Sequence, residues 1–336
     1  MAGNMTLTRL ILAGLVTASA ITSSCSERQK TGMKFAADKV EFVPGDKKID
    51  VMVGGKLLTS YLYGDELKKP LLFPVCSPSG IVVSRGYPLT KVAGESQDHP
   101  HHAGLFFTYD EVNNDGFWGN TPSPPQIKHI KITEMTGQAG KGTLSTVMHW
   151  VGKSGQVLLE EKRKMVFQAG ENEYIIDFSM HLAARDTKVV FSDTKEGMFA
   201  IRVADWLRED AREKYSGTGR YLNSAGDETS ENVWGKRARW VRLQGQKDGR
   251  MVGIAIFNHP ASVNYPTYWH ARGYGLFSAN PLGQYVFEKS RGQANPQPFG
   301  LQLQAGEAAY FGFRVIIYEE NKTKQQLERQ FEQFMK

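Results

Sequence analysis

Along most of the chain, apolar and polar residues alternate in short runs, and Gly, Pro, Asn and Asp separate the runs. Alternation with period two sets one side of a run against a core and turns the other away, which is the pattern of a β-strand. Residues 49–53 and 56–63 flank Gly54-Gly55, a two-residue turn that predicts a hairpin. Further strands are expected over 80–84, 127–133, 142–151, 156–168, 172–184, 188–191, 198–203, 252–257 and 308–318. One segment breaks the period. In 321–336 the apolar Leu327, Phe331 and Phe334 recur at four and three, which predicts a C-terminal helix. The expectation is an all-β fold: a large β-sandwich with long functional loops at 85–125, 192–197, 204–238 and 258–299, and one α-helix at the end.

The start of the chain reads differently. Arg9 precedes a short apolar stretch, residues 10–21, followed by Thr22-Ser23-Ser24-Cys25. That stretch falls short of the ~20 apolar residues a membrane span needs, so residues 1–24 are read as a secretory signal. The small residues before Cys25 resemble a bacterial lipobox, with Thr22 where Leu or Val is more usual. Cys25 is then the expected lipidated first residue, residues 25–33 a polar tether, and 34–336 a single domain. This predicts an exported protein, lipid-anchored to a bacterial membrane and facing the periplasm or the cell surface. Two cysteines exclude a disulfide scaffold and a Cys-rich zinc module. Cys76 lies among apolar neighbours and is expected to fill core. The excess of 41 Lys+Arg over 35 Asp+Glu is thinly spread, without the dense basic stripe of a nucleic-acid binder.

Candidate chemistry gathers in the loops. Asp98-His99-Pro100-His101-His102 places three of the eight histidines within four positions, with Asp110, Glu111, Asp115 and Trp118 close behind. Imidazole titrates near neutrality and is a common metal ligand. In extended backbone His99 and His101 would face one way and His102 the other. That leaves three readings open: a divalent metal held by His99, His101 and a carboxylate; one histidine as general acid or base; or a packed turn without chemistry. No cofactor is predicted firmly. Asp193-Thr-Lys195-Glu196-Gly197 sets two carboxylates and a lysine around a glycine. Asn258-His259-Pro260 follows a strand exit. Tyr268-Trp269-His270-Ala-Arg272-Gly-Tyr274 mixes ring faces, imidazole and guanidinium, a mixture that suits sugar-like ligands. Trp234-Gly-Lys236-Arg237-Ala-Arg239-Trp240-Val-Arg242, taken as a strand, puts Arg237 and Arg239 on one face and Trp240 and Arg242 on the other.

Taken together, Arg85-Gly-Tyr-Pro88, Asp98–His102, Asp115-Gly-Phe-Trp118-Gly, Asp193–Gly197, Ile201-Arg202-Val, Trp234–Trp240, Asn258-His-Pro260 and Trp269–Gly275 resemble the bacterial family filed as "methane oxygenase PmoA", also described as a domain of unknown function. The resemblance runs from about residue 55 to residue 318. It implies family positions at His99, His101, His102, Trp118, Asp193, Glu196, Arg202, Arg237, His259, His270 and Arg272. Two departures stand out: Ala103-Gly-Leu-Phe-Phe where relatives often carry Arg and Trp, and Asn258 where Asp is frequent. A membrane-bound methane monooxygenase subunit crosses the bilayer several times, and this chain has no apolar span of that length beyond its signal, so the label is expected to be a misnomer. The resemblance also implies a galactose-mutarotase-like supersandwich whose concave face offers histidines and a carboxylate to a sugar.

The resulting expectation is acid–base chemistry on a carbohydrate or sugar derivative, epimerase- or lyase-like. His101 or His102 would be the base, Glu196 the opposing acid or base, and His270 a second proton carrier. Arg202 and Arg272 would clamp hydroxyls or carboxylates, Trp118 and Trp269 would stack on the ring, and Asp193, Arg237 and His259 would complete the binding set. The alternatives are a non-catalytic glycan-binding lipoprotein and a metal-dependent enzyme built on His99 and His101.

Overall fold

The computed structural model describes residues 38–119, 121, 123–210 and 217–336, so the signal, Cys25 and the tether lie outside the described residues. Two eight-stranded antiparallel sheets form the domain. The first runs, edge to edge, Val40–Gly45, Lys48–Val53, Lys56–Leu62, Leu71–Val75, Leu105–Tyr109, Gly197–Arg202, Leu276–Asn280 and Tyr268–Ala271. The second runs Arg220–Asn223, Trp240–Lys247, Arg250–Asn258, Ala308–Tyr318, Glu173–Ala184, Val157–Ala169, Lys141–Val151 and Gln126–Gln138. The expected hairpin forms with Val53 opposite Lys56. Its turn residues Gly54 and Gly55 both have positive φ, and a Cβ on Gly54 would strike the Asp38 carboxylate at 2.8 Å.

The inner faces meet in an aromatic core. Phe199 of the first sheet stacks on Phe313 of the second, with ring centres 4.5 Å apart, and Phe107 lies 5.6 Å from Phe311. Alternation explains the partition. In Val157–Ala169 the inward Met165, Phe167 and Ala169 are fully buried, whereas Lys162 and Lys164 face out. The outermost strand, Gln126–Gln138, is mostly exposed and carries two register shifts, features that discourage further strand pairing. At the C-terminus the helix Lys324–Phe334 begins with a capping box between Thr323 and Gln326. It buries Leu327 and Phe331, the latter against Phe257, as the spacing predicts.

Several expectations change. The run 80–84 makes only isolated bridges, Cys76 with Val82 and Ser84 with Val203, and its backbone bonds are divided among Val75, Ser77 and Ala204. The run 188–191 shortens to Val189–Val190. Segments expected to be loops hold Leu105–Tyr109, Arg220–Asn223, Tyr268–Ala271 and Leu276–Asn280, with two short helices, Ser230–Val233 and Gln284–Ser290. Leu105–Tyr109 is buried on both faces, so it lacks the alternation by which a half-buried strand is read. The expected strand across 234–242 begins only at Trp240, and before it Arg237 makes a single bridge to Tyr268. Cys76 is buried, and burial pushes its thiol up to about 11, in keeping with a packing role.

Candidate active site on the outer face of the first sheet

Register places the site. Phe106 pairs with Ala200, Ala200 with Ser278, and Ser278 with His270, so four neighbouring strands present one row of side chains. The adjacent row, Phe107, Phe199, Ala279 and Trp269, points the opposite way, into the sandwich core. Trp269 therefore turns inward: it is fully buried and donates its indole N–H to the Ala238 carbonyl at 3.0 Å, which places it away from a stacking position. The outward row carries Phe106, Ala200, His270 and, at the strand's end, Arg202. Trp118, Ala103, Leu276 and Tyr274 pack over this face.

The histidine loop covers one end of it. The amide of His102 donates to the His99 carbonyl at 3.0 Å, so the segment turns and the extended-backbone expectation does not hold. The rings of His99 and His102 stack in parallel with centres 5.0 Å apart, and His99 stacks equally on Tyr274. His101 stands nearly perpendicular to both imidazoles. Gly104, with φ of +61°, lets the chain pass the Leu72 carbonyl, which a Cβ would meet at 2.4 Å.

Asp98 organises this end. Its Oδ1 accepts from Arg85 Nη1 at 2.5 Å and from Arg202 Nη2 at 2.6 Å, while Oδ2 lies 3.0 Å from His99 Nδ1. Burial opposes its charge, but Arg202, His99 and Arg85 together hold its carboxyl below the usual range. Both guanidinium groups are fully buried. Arg202 also lies 3.4 Å from His102 Nδ1 and 4.7 Å from the centre of the Tyr274 ring. A guanidinium only donates, so His102 Nδ1 accepts and its proton sits on Nε2, which is buried without a partner among the described residues. Burial, then the neighbouring His101 and Arg202, drive the His102 imidazole far below its ordinary value.

His101 differs from its neighbours. It is half-buried, and its ring nitrogens make no hydrogen bond among the described residues. Burial first, then the charge of Lys69, lowers it to about 4, so its imidazole is neutral at neutral pH. Lys69 itself is fully buried. Its Nζ donates to the carbonyls of His101 at 3.3 Å, Trp118 at 3.2 Å and Gly119 at 3.2 Å, and burial lowers it to about 7. One ammonium thus ties the histidine loop to the loop that delivers Trp118.

The second group lies across the row. His270 Nδ1 is 2.9 Å from the Lys195 carbonyl and its Nε2 accepts from Arg272 Nε at 3.0 Å. Both nitrogens are occupied, which fixes the neutral tautomer with the proton on Nδ1, and burial lowers the group to about 3. The Arg272 guanidinium carbon lies over the Trp234 ring, 4.9 Å from its centre. Glu196 pairs with its neighbour Lys195 and adjoins Asp110 through its backbone carbonyl, at the end of Gly197–Arg202 opposite to the histidine loop and next to the carbonyl that holds His270. Tyr274 sits between the groups, where Arg202, Arg272, Glu196 and Asp98 all act on its hydroxyl, whose proton burial makes harder to lose.

The other expected residues serve the scaffold. The Asp193 carboxylate accepts from the amides of Tyr285 and Val286 and so caps the helix Gln284–Ser290. Arg237 binds Asn264, Pro266 and Gln284 and covers the Tyr268 ring. His259 accepts from the Ala261 amide and packs on Tyr310 and Phe334, beside the second sheet. The metal pair does not gain a third donor: among the described residues no three His, Cys, Asp or Glu side chains gather as a cation would need. Sequence reasoning passed over Tyr274, Asp98, Arg85 and Lys69. The first three lie inside the quoted motifs, next to residues that drew the attention, and Lys69 precedes a buried strand where a lysine carries no motif.

Residues 48–332 match the family model described as "Family of unknown function (DUF6807)", and the chain belongs to that family. Its description names no activity, and the methane-oxygenase label of the expected family finds no support. Among the described residues no helix is long and apolar enough to cross a membrane. No curated protein matches the chain. Among solved structures, the family 36 α-galactosidase AgaB from Geobacillus stearothermophilus is similar at 11% identity with a TM-score of 0.41, covering 83% of this chain and 40% of that one. A family 97 glycoside hydrolase from Pseudoalteromonas sp. strain K8, solved with acarbose, is similar at 11% identity and a TM-score of 0.34, covering 84% and 34%. A polysaccharide lyase is similar at 10% identity and 0.34, covering 88% and 34%. This chain thus spans well under half the length of these proteins, and at such scores the likeness carries no argument about activity.

Proposed function

We propose that this protein moves a proton on a carbohydrate or sugar-derived ligand, as an epimerase or lyase does, with His101 as the base. One observation carries the reading. His101 is half-buried, free of hydrogen bonds among the described residues and held neutral, with the Trp118 ring 6.4 Å away and Tyr274 stacked on the adjoining His99. A neutral imidazole with an open nitrogen accepts a proton, and a flat ring wall suits the apolar face of a sugar. Tyr274, which keeps its proton, supplies the opposing hydroxyl, and Glu196 acts on it from the far end of the row. The enclosed His102 and the doubly bonded His270 position their neighbours and do not exchange protons. Export and anchoring through Cys25 belong to the same proposal, and Cys25→Ser would release the protein from the membrane fraction.

The test incubates the full chain with neutral and acidic oligosaccharides in deuterated water and follows the sugar signals by NMR. Exchange of a ring proton or appearance of an unsaturated product is expected, lost in His101→Ala while binding persists. Binding without exchange in the wild-type protein would favour the non-catalytic glycan-binding alternative and overturn the base assignment. Stoichiometric divalent metal in protein purified without chelator would overturn the metal-free form of the proposal.

A further inference from the structure

A cavity of about 410 Å³ opens beside Tyr274, lined by Glu209, Asp210, Ser230, Arg272, Gly273 and Tyr274. The lining holds two carboxylates and one guanidinium, and the carboxylates are bonded to partners other than Arg272. Glu209 is committed to backbone amides: Oε1 accepts from Tyr221 at 3.3 Å and Oε2 from Ser230 at 2.6 Å. Asp210 faces Arg208, with Oδ2 3.6 Å from Nη2. Arg272 has no carboxylate within ion-pair distance among the described residues. Only its Nε is engaged, by His270, and its guanidinium carbon lies over the Trp234 ring, 4.9 Å from its centre. His270 is in turn held by the Lys195 carbonyl, so the guanidinium is braced along one edge and one face while both Nη groups remain uncommitted.

We infer that Arg272 is the receptor for a carboxylate on the ligand, and that the substrate class is an acidic sugar, a uronate or a related sugar acid. The inference rests on the carbohydrate reading proposed above and narrows it. A guanidinium with its Nη pair open matches the two oxygens of a carboxylate, whereas a sugar hydroxyl satisfies only one of its donors. Bracing by His270 and Trp234 removes the rotamer freedom that ordering a free arginine would cost. The hydroxyls of Ser230 and Tyr274, in the same lining, can take a third hydrogen bond from the anion or the ring. A carboxylate held there also acidifies the proton on the carbon beside it, the proton that an epimerase or lyase base removes.

Isothermal titration of the full chain with an oligogalacturonate, the matching neutral oligogalactoside and inorganic phosphate tests this. The uronate is expected to bind at least about tenfold more tightly than the neutral sugar, the scale of a charge-assisted bond. Arg272→Gln should remove that preference, and Arg272→Lys, which keeps the charge but not the fork, should recover only part of it. His101→Ala should leave the preference intact. Equal binding of both sugars, unaffected by Arg272→Gln in protein that unfolds at the wild-type temperature, overturns the receptor and leaves the carbohydrate reading standing. Phosphate competing as well as the uronate also overturns it. Binding of neither sugar overturns both.

Discussion

Arg272 donates its Nε–H to Nε2 of His270 at 3.0 Å, and that bond decides what His270 can do. An imidazole whose second nitrogen already faces the Lys195 carbonyl has no site left for a substrate proton. It is a strut. Its folded value, about 3, lies below the 6.5 of a free imidazole, so the folded protein binds fewer protons than the unfolded chain between those limits. This contribution to stability is complete above about pH 6.5 and is lost as pH falls toward 3, on the order of a few kcal/mol over the range. In thermal unfolding followed at stepped pH, wild-type protein should lose stability steeply below pH 6. His270→Gln should begin lower at pH 7 and fall less.

Asp98 is the counter-charge of two buried guanidinium groups, Arg85 and Arg202. Asp98→Asn keeps the shape and removes the charge, leaving two cations to face each other in a poorly solvated place. The expected cost is about 3 kcal/mol, the lower end for breaking a buried pair, since the carboxylate itself is partly exposed. Urea unfolding of the two proteins measures it. A loss below about 0.5 kcal/mol, the size of an ordinary surface change, would show that the pair is not needed.

Lys69 joins the carbonyls of His101, Trp118 and Gly119, and its charge is the largest influence on His101 after burial. Lys69→Met keeps the length of the side chain and removes both effects. The His101 ring signals, followed by NMR across pH, should then titrate above the wild-type value of about 4. An unchanged titration would place the ammonium outside the electrostatics of the site.

His101→Ala should lower turnover by a factor of about 10² to 10⁴, the ordinary contribution of a general base. Ligand affinity should change little. In the wild-type protein kcat/KM should fall on the acid side as pH drops through about 4, where the base takes a proton and ceases to act. An acid limb near pH 6.5 would mean that a histidine in an ordinary environment does the work.

Much of the sandwich was legible because half-buried strands alternate: Val157–Ala169 and Glu173–Ala184 show their two faces in the sequence. Leu105–Tyr109, expected as loop, does not alternate because both of its faces are covered, and Gly197–Arg202, expected as a strand over 198–203, is covered equally and hides which face carries the site. Reading them needs the register, and register depends on pairings between residues almost a hundred positions apart, such as Phe106 with Ala200. The site residues divide the same way. Chemistry marked His101 and Arg272, whose side chains are free to act. The same marks misplaced Trp269, because residue type does not reveal that its row points inward, and they did not show that Arg237 spends donors on Asn264, Pro266 and Gln284. Asp98 and Lys69 matter through what they hold, and a sequence does not show what is held.

The pairing of one carboxylate with two guanidinium groups also makes a joint between distant parts of the chain. Arg85 precedes the histidine loop and Arg202 ends a strand of the first sheet, so a single oxygen of Asp98 fastens the loop to the strand that carries the outward row. A proton on that carboxylate in strong acid would weaken both bonds together, and loop and strand would loosen in one step.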